Sequence, residues 1–131
     1  MTEAMLEHAN ITVSDPERTA QCLCDLFGWT IRWKGKAIHG GMSIHVGSKS
    51  SYLALYAPGT KTARAPSSYA TTGGLNHIGI VVDDLEMTER RVAAAGFEPH
   101  SHADYEPGRR FYFHDDDGIE FEVVSYVPIP A

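Results

Sequence analysis

The 131-residue sequence predicts an α+β domain made of two βαβββ modules that form a cupped mixed sheet. Three observations predict it. The stretch LEHANITV at 6–13, followed by SDPE, returns as LNHIGIVV at 75–82, followed by DDLE. Each copy joins a strand-like run to a helix-start signal, and each predicted helix stops at a glycine, Gly28 or Gly96. Between the copies, segment 58–74 (PGTKTARAPSSYATTGG) has no apolar periodicity and reads as a linker or mobile loop. The expected organisation is one domain over 1–131, with module one at about 5–57, the linker at 58–74 and module two at 75–127.

Module one begins with alternation. His8, Asn10 and Thr12 fall on one strand face, and Ala9, Ile11 and Val13 on the other. Asp15 is the expected N-cap and Pro16 the first helical residue. Ala20, Leu23, Cys24 and Phe27 recur at helical spacing and are expected to face the sheet. Strands follow at 30–33, 43–46 and 52–56.

Module two repeats the plan. Asp83 with Glu86 three residues later reads as a capping box. Leu85, Thr88, Val92 and Ala95 form the expected buried stripe. A strand start at 98–100, a strand at 109–114, a turn at 115–118 and a last strand at 119–126 complete the module.

Composition excludes several function classes. A formal charge of −6, with no basic cluster beyond Arg90-Arg91 or Arg109-Arg110, argues against nucleic-acid binding. No basic leader or membrane-length apolar run is visible, so the expected location is cytoplasmic, without a membrane partner. Cys22 and Cys24 lie two apart on one predicted helix and point to different faces, which excludes a disulfide between them.

Strand parity assembles a candidate site. Ile78, Ile80 and Val82 belong to the helix side of the sheet, which turns His77 and Gly79 to the opposite face. In the last strand Phe121 and Val123 belong to the helix side, so Glu120 and Glu122 share the face of His77. A duplicated unit can bring its equivalent strands together, and His8 would then join this set. Two imidazoles and one carboxylate suit a divalent metal with open positions. Parity does not choose between Glu120 and Glu122. Tyr112 and Arg110 alternate with core Phe111 and Phe113 and therefore face the same cup. His39, His45, His100, His102 and His114 read as surface histidines.

The pieces LEHANITVSDPERT, LNHIGIVVDDLE and RRFYFHDDDGIEFEVVSY resemble the vicinal oxygen chelate superfamily. This group includes glyoxalase I, bleomycin-resistance proteins, fosfomycin-resistance transferases, methylmalonyl-CoA epimerase and extradiol dioxygenases. The resemblance covers 6–126 and implies the glyoxalase-like fold of paired βαβββ modules. It implies metal ligation by His8, His77 and Glu122, with Glu120 near the cup rim. Its fourth ligand position falls on Ala54, which cannot bind metal; that counts against glyoxalase I and the epimerase. Tyr112-Phe113-His114-Asp115-Asp116-Asp117-Gly118 is similar to the dioxygenase signature, with Asp116 in place of proline and His102 one residue too far upstream.

The resemblance implies a metal-dependent enzyme acting on a small oxygenated substrate, of extradiol-dioxygenase, lyase, isomerase or transferase type. The cofactor is one divalent ion: Fe, Mn, Ni, Co or Zn. Tyr112 is the expected catalytic phenol; Arg110, Asn10, Tyr56 and Glu120 are the expected substrate contacts. A homodimer is expected, since small members commonly dimerise and can share sites between chains. The competing reading is a metal-free small-molecule-binding protein of the bleomycin-resistance type.

Overall fold

The structure is a computed structural model that describes residues 2–66, 68–105 and 108–128. The ends of the expected 1–131 domain lie outside these residues. The chain divides into two compact units, 1–63 and 64–131. The first holds β1 (His8–Thr12), α1 (Pro16–Phe27), β2 (Thr30–Lys36), β3 (Met42–Gly47) and β4 (Tyr52–Ala57). The second holds β5 (Ile78–Val81), α2 (Leu85–Ala94), β6 (His100–Tyr105), β7 (Gly108–His114) and β8 (Glu120–Ser125).

Each unit carries its own four-stranded mixed sheet, ordered β1-β4-β3-β2 and β5-β8-β7-β6. The first strand pairs in parallel with the last, and the remaining pairs are antiparallel. The predicted α+β class and the βαβββ repeat are thus observed. His8 opens β1 and His77 immediately precedes β5, and these strands belong to different hydrogen-bonded sheets.

Helix termini follow local chemistry. Asp15 caps α1 by accepting from the Arg18 N–H at 3.3 Å, and Pro16 occupies the first turn. Gly28 closes α1 at φ 69°, where its N–H donates to the Cys24 carbonyl. That left-handed conformation costs a residue with a Cβ about 1–2 kcal/mol, and glycine avoids the clash. The α2 cap lies one residue later than the spacing predicts. Asp84, not Asp83, accepts from the Met87 N–H at 3.0 Å. Asp83 stays outside the helix, and its carbonyl accepts from the Ser125 hydroxyl at 3.3 Å. Glu86 pairs with Arg109 rather than returning to the cap. At the other end Phe97 N–H reaches the Val92 carbonyl and Gly96 N–H the Ala93 carbonyl, a Schellman closure.

The helices bury nearly the expected stripes. In α1 these are Pro16, Ala20, Leu23 and Leu26, while Cys24 and Phe27 are only half-buried. In α2 they are Leu85, Thr88 and Val92; Ala95 is exposed because the helix has already ended. Beneath α2, Phe111 and Phe113 of β7 and Phe121 and Val123 of β8 are at most 1% exposed. Phe113 and Phe121 stack with ring centres 5.2 Å apart. Each such ring contributes about 1.5–3 kcal/mol by leaving water, which pins the β7–β8 pair and fixes what its reverse face presents.

The one-residue difference in the α2 cap is measurable. Asp84→Ala is expected to cost about 1 kcal/mol in urea unfolding of the full chain, and Asp83→Ala less than about 0.5 kcal/mol. Equal losses would contradict the cap assignment.

Candidate metal centre

In the second unit the site face is built by register. Gly79 pairs with Glu122, Tyr112 with Glu122 and His114 with Glu120. Glu122 is nearly buried, with a side chain 14% exposed. Its Oε2 accepts from the Tyr112 hydroxyl and lies 3.3 Å from Arg110 Nη1. Arg110 also donates to the Gly108 carbonyl through Nη2 at 3.1 Å. A carboxylate this far from water requires such compensation. Its other oxygen, Oε1, faces Gly79, where a methyl group would sit 3.8 Å away. The bare glycine keeps the space beside Oε1 open. His77 lies edge-on to Tyr112, with ring centres 5.6 Å apart, as parity predicted.

The residue missed from the sequence is Tyr69. It stands in a 3-10 turn, Ser68–Ala70, inside the segment read as linker. That segment is tied to the second unit: Arg64 donates to the Asp116 carbonyl at 3.0 Å, and Asn76 to the Ser68 carbonyl at 3.1 Å. The Tyr69 hydroxyl donates to Glu120 and lies 3.4 Å from His77 Nδ1. The Glu120 hydrogen bond, with burial and the nearby carboxylates, raises the phenol above its ordinary pKa and keeps it protonated. A phenol has a single proton, and Glu120 receives it. The Tyr69 oxygen is then left as an acceptor 3.4 Å from His77 Nδ1, a placement that favours the tautomer with its proton on Nδ1 and its lone pair on Nε2. No apolar period marks a lone tyrosine in a Pro/Ser/Thr-rich stretch; only its ring, amid small residues, could have drawn notice.

In the first unit His8 has the same preparation. Its Nδ1 lies 2.8 Å from Glu7 Oε1, so Nδ1–H donates and Nε2 is free. Four rings cross the sheet in strand order. His8 stacks on Tyr52 at 4.8 Å, Tyr52 on His45 at 4.6 Å, and His45 meets Trp33 at 4.9 Å. The Arg32 guanidinium lies 4.5 Å from the Tyr52 ring centre. Burial foremost, then His8 and Arg32, pushes the His45 pKa down against the opposing pull of Glu7. His45 is thus a half-buried neutral ring, not the free surface histidine expected. It pairs in register with Ala54, which is buried and offers no ligand.

The other expected residues are placed as follows. Asn10 is exposed on β1, in register with Ala54. Tyr56 donates to the Ile38 carbonyl at 2.9 Å, which holds a turn. Glu120 joins Tyr69 to His114. His100 and His114 are also not independent surface groups: with Glu120 they present three donor atoms within 4.8 Å of one another.

The family model of the Glyoxalase/Bleomycin resistance protein/Dioxygenase superfamily matches residues 5–123. The chain belongs to this superfamily. A glyoxylase/bleomycin resistance protein/dioxygenase domain from Frankia sp. EAN1pec is similar at 20% identity and a TM-score of 0.79, covering 95% of this chain and 98% of that one. The fosfomycin resistance protein FosX from Mesorhizobium loti is similar at 23% identity and a TM-score of 0.68, covering 95% and 92%. FosX from Listeria monocytogenes, in complex with Mn(II) and sulfate, is similar at 18% identity and a TM-score of 0.70, covering 95% and 93%. A search of curated proteins finds no match. Among the described residues, no helix is long and apolar enough to cross a membrane.

The proton assignment for His77 has a direct readout. In wild-type protein, nitrogen NMR is expected to find His77 as the Nδ1–H tautomer. Tyr69→Phe removes the acceptor, and the population is expected to move toward Nε2–H. An unchanged tautomer would contradict the role given to Tyr69.

Proposed function

We propose that the protein is a metal-dependent enzyme acting on a small molecule with two neighbouring oxygen atoms. The proposed ligands are His8, His77 and Glu122. The observation that carries this reading is the matched setting of the two histidines: each has Nδ1 beside a side-chain oxygen, Glu7 Oε1 at 2.8 Å and the Tyr69 hydroxyl at 3.4 Å, which favours Nε2 as the ligating nitrogen. Metal-binding histidines are typically prepared in this way, with the second nitrogen donating to a carboxylate or another oxygen. Glu122 fits as well, with Oε2 fixed by Tyr112 and Arg110 and Oε1 beside the bare Gly79. A bound divalent ion would supply Lewis acidity toward substrate oxygens.

The chain's own residues supply the rest. Arg110 offsets the Glu122 charge, and Tyr112 orients that carboxylate while presenting a phenol to the same face. Asn10 and Tyr56 are proposed substrate contacts of the first unit, and Arg110 and Glu120 of the second. Iron, manganese, nickel, cobalt and zinc all accept this donor set. The Listeria protein in complex with Mn(II) makes manganese the first ion to test. A second reading, a metal-free binder for a planar ligand, is favoured by the ring ladder Trp33–His45–Tyr52–His8 and by Ala54.

Metal binding separates the two. Mn(II) titration followed by electron paramagnetic resonance is expected to find one ion per chain. His77→Ala and Glu122→Gln are expected to lose it, whereas Glu120→Gln keeps it. Stoichiometric Mn(II) in His77→Ala would sink the ligand set. Tyr112→Phe is expected to weaken Mn(II) binding about 10- to 100-fold, because the carboxylate loses its orienting donor. We also propose a homodimer, which sedimentation of a monomer at micromolar concentration would reject.

A further inference from the structure

We propose that His100, His114 and Glu120 form a second divalent-metal site, separate from the ligand set above. The three side chains come from adjacent strands β6, β7 and β8. His100 pairs in register with Tyr112, yet its ring turns toward His114. The cause is local: the β6–β7 register shifts between His100 and Ala103, and Ser101 adopts a left-handed φ of 56°. The two imidazoles stack with ring centres 5.1 Å apart and planes 14° from parallel. His100 Nε2 lies 3.2 Å from His114 Nδ1, and His114 Nε2 lies 3.2 Å from Glu120 Oε2.

The arrangement is held from outside. His100 Nδ1 is 2.8 Å from the Ser101 hydroxyl, which leaves Nε2 as the inward nitrogen. Glu120 is nearly buried, with a side chain 11% exposed, and its Oε1 is taken by the Tyr69 hydroxyl. Its Oε2 therefore faces the histidines with no rotamer freedom to spare. One nitrogen from each ring and one Glu120 oxygen lie within 4.8 Å of one another. A tetrahedral ion with bonds of about 2.0–2.2 Å holds its donors roughly 3.3–3.6 Å apart, so shifts of about 1 Å close the set. His114, with its side chain 51% exposed, leaves the remaining coordination positions on the solvent side.

Donor chemistry selects the ion. Two imidazoles and one carboxylate favour Zn2+, Ni2+ or Cu2+ over Mg2+ or Ca2+, which prefer all-oxygen shells. Mn2+ stands lowest in the divalent series, so this half-exposed site holds it more weakly than Zn2+. The corresponding positions of the first unit, read through the strand registers, are Trp33, Gly47 and Tyr52. None of these is a metal-ligating side chain, so the second site belongs to the second unit alone.

The test is a Zn2+ titration of metal-stripped full-length protein against a competing chromophoric chelator. Wild type, Glu122→Gln, His114→Gln, the double variant and His102→Gln are compared, with thermal melts to confirm folding. His102 is a control, a histidine–glutamate pair outside the cluster, 2.7 Å from Glu89. Glu122→Gln is expected to retain one Zn2+ that the double variant lacks. His114→Gln is expected to hold one ion fewer than wild type, and His102→Gln to match wild type. The affinity lost with His114 should exceed the roughly 10- to 100-fold typical of an outer partner. If the His8, His77 and Glu122 set is wrong and this site is right, wild type and Glu122→Gln bind equally, and His114→Gln still loses its ion. Equal Zn2+ binding by wild type and His114→Gln, or equal loss in His102→Gln, would overturn the proposal.

Discussion

In each unit the first strand hydrogen-bonds in parallel to the last, and that pairing sets nearly everything else. A parallel pair cannot be closed by a tight turn, so the chain must cross over through a helix and two further strands before returning. The helix covers one sheet face, and the space beneath it is filled by Ile44, Val46, Leu53 and Leu55 in the first unit and by Phe111, Phe113, Phe121 and Val123 in the second. The other face stays free of the core. Strand periodicity then leaves no choice about which residues appear there. With Phe121 and Val123 buried under α2, Glu120 and Glu122 must emerge on the reverse side, next to His77 and Tyr112. A one-residue slip in β8 would bury both carboxylates and expose both apolar groups, so the core itself enforces the site register.

Protons, more than charges, organise that face. Glu122 is neutralised by Arg110 and oriented by Tyr112, both through one oxygen. Tyr69 gives its single proton to Glu120, which leaves its oxygen as an acceptor toward His77 Nδ1. Glu7 imposes the same state on His8 in the other unit. In both units the histidine therefore turns Nδ1 toward a side-chain oxygen.

The fold was largely legible in the sequence because it was written twice and because both helices carry strong end signals. The α2 cap slipped by one residue because Asp83 and Asp84 offer the same side chain, and only the backbone position decides between them. Parity placed Glu122, Tyr112, Arg110 and His77 on one face because burial of Phe111, Phe113 and Phe121 is a strong constraint. Three things were not legible. Tyr69 acts from an irregular segment, where no period links position to direction. His100 reaches His114 only through a β-bulge, which a strict two-residue alternation cannot anticipate. His45 is drawn into a stack by Tyr52 and Trp33, neighbours across strands and not along the chain.

Strands β4 and β8 hold the same place in their sheets and carry different chemistry. The equivalent positions carry Tyr52 and Ala54 in one copy and Glu120 and Glu122 in the other, on backbones with the same strand order. Each half has its own hydrogen-bonded sheet. One copy thus presents two carboxylates at positions where its twin presents an aromatic ring and a methyl group. The same backbone plan, used twice, presents two chemically unlike sheet faces.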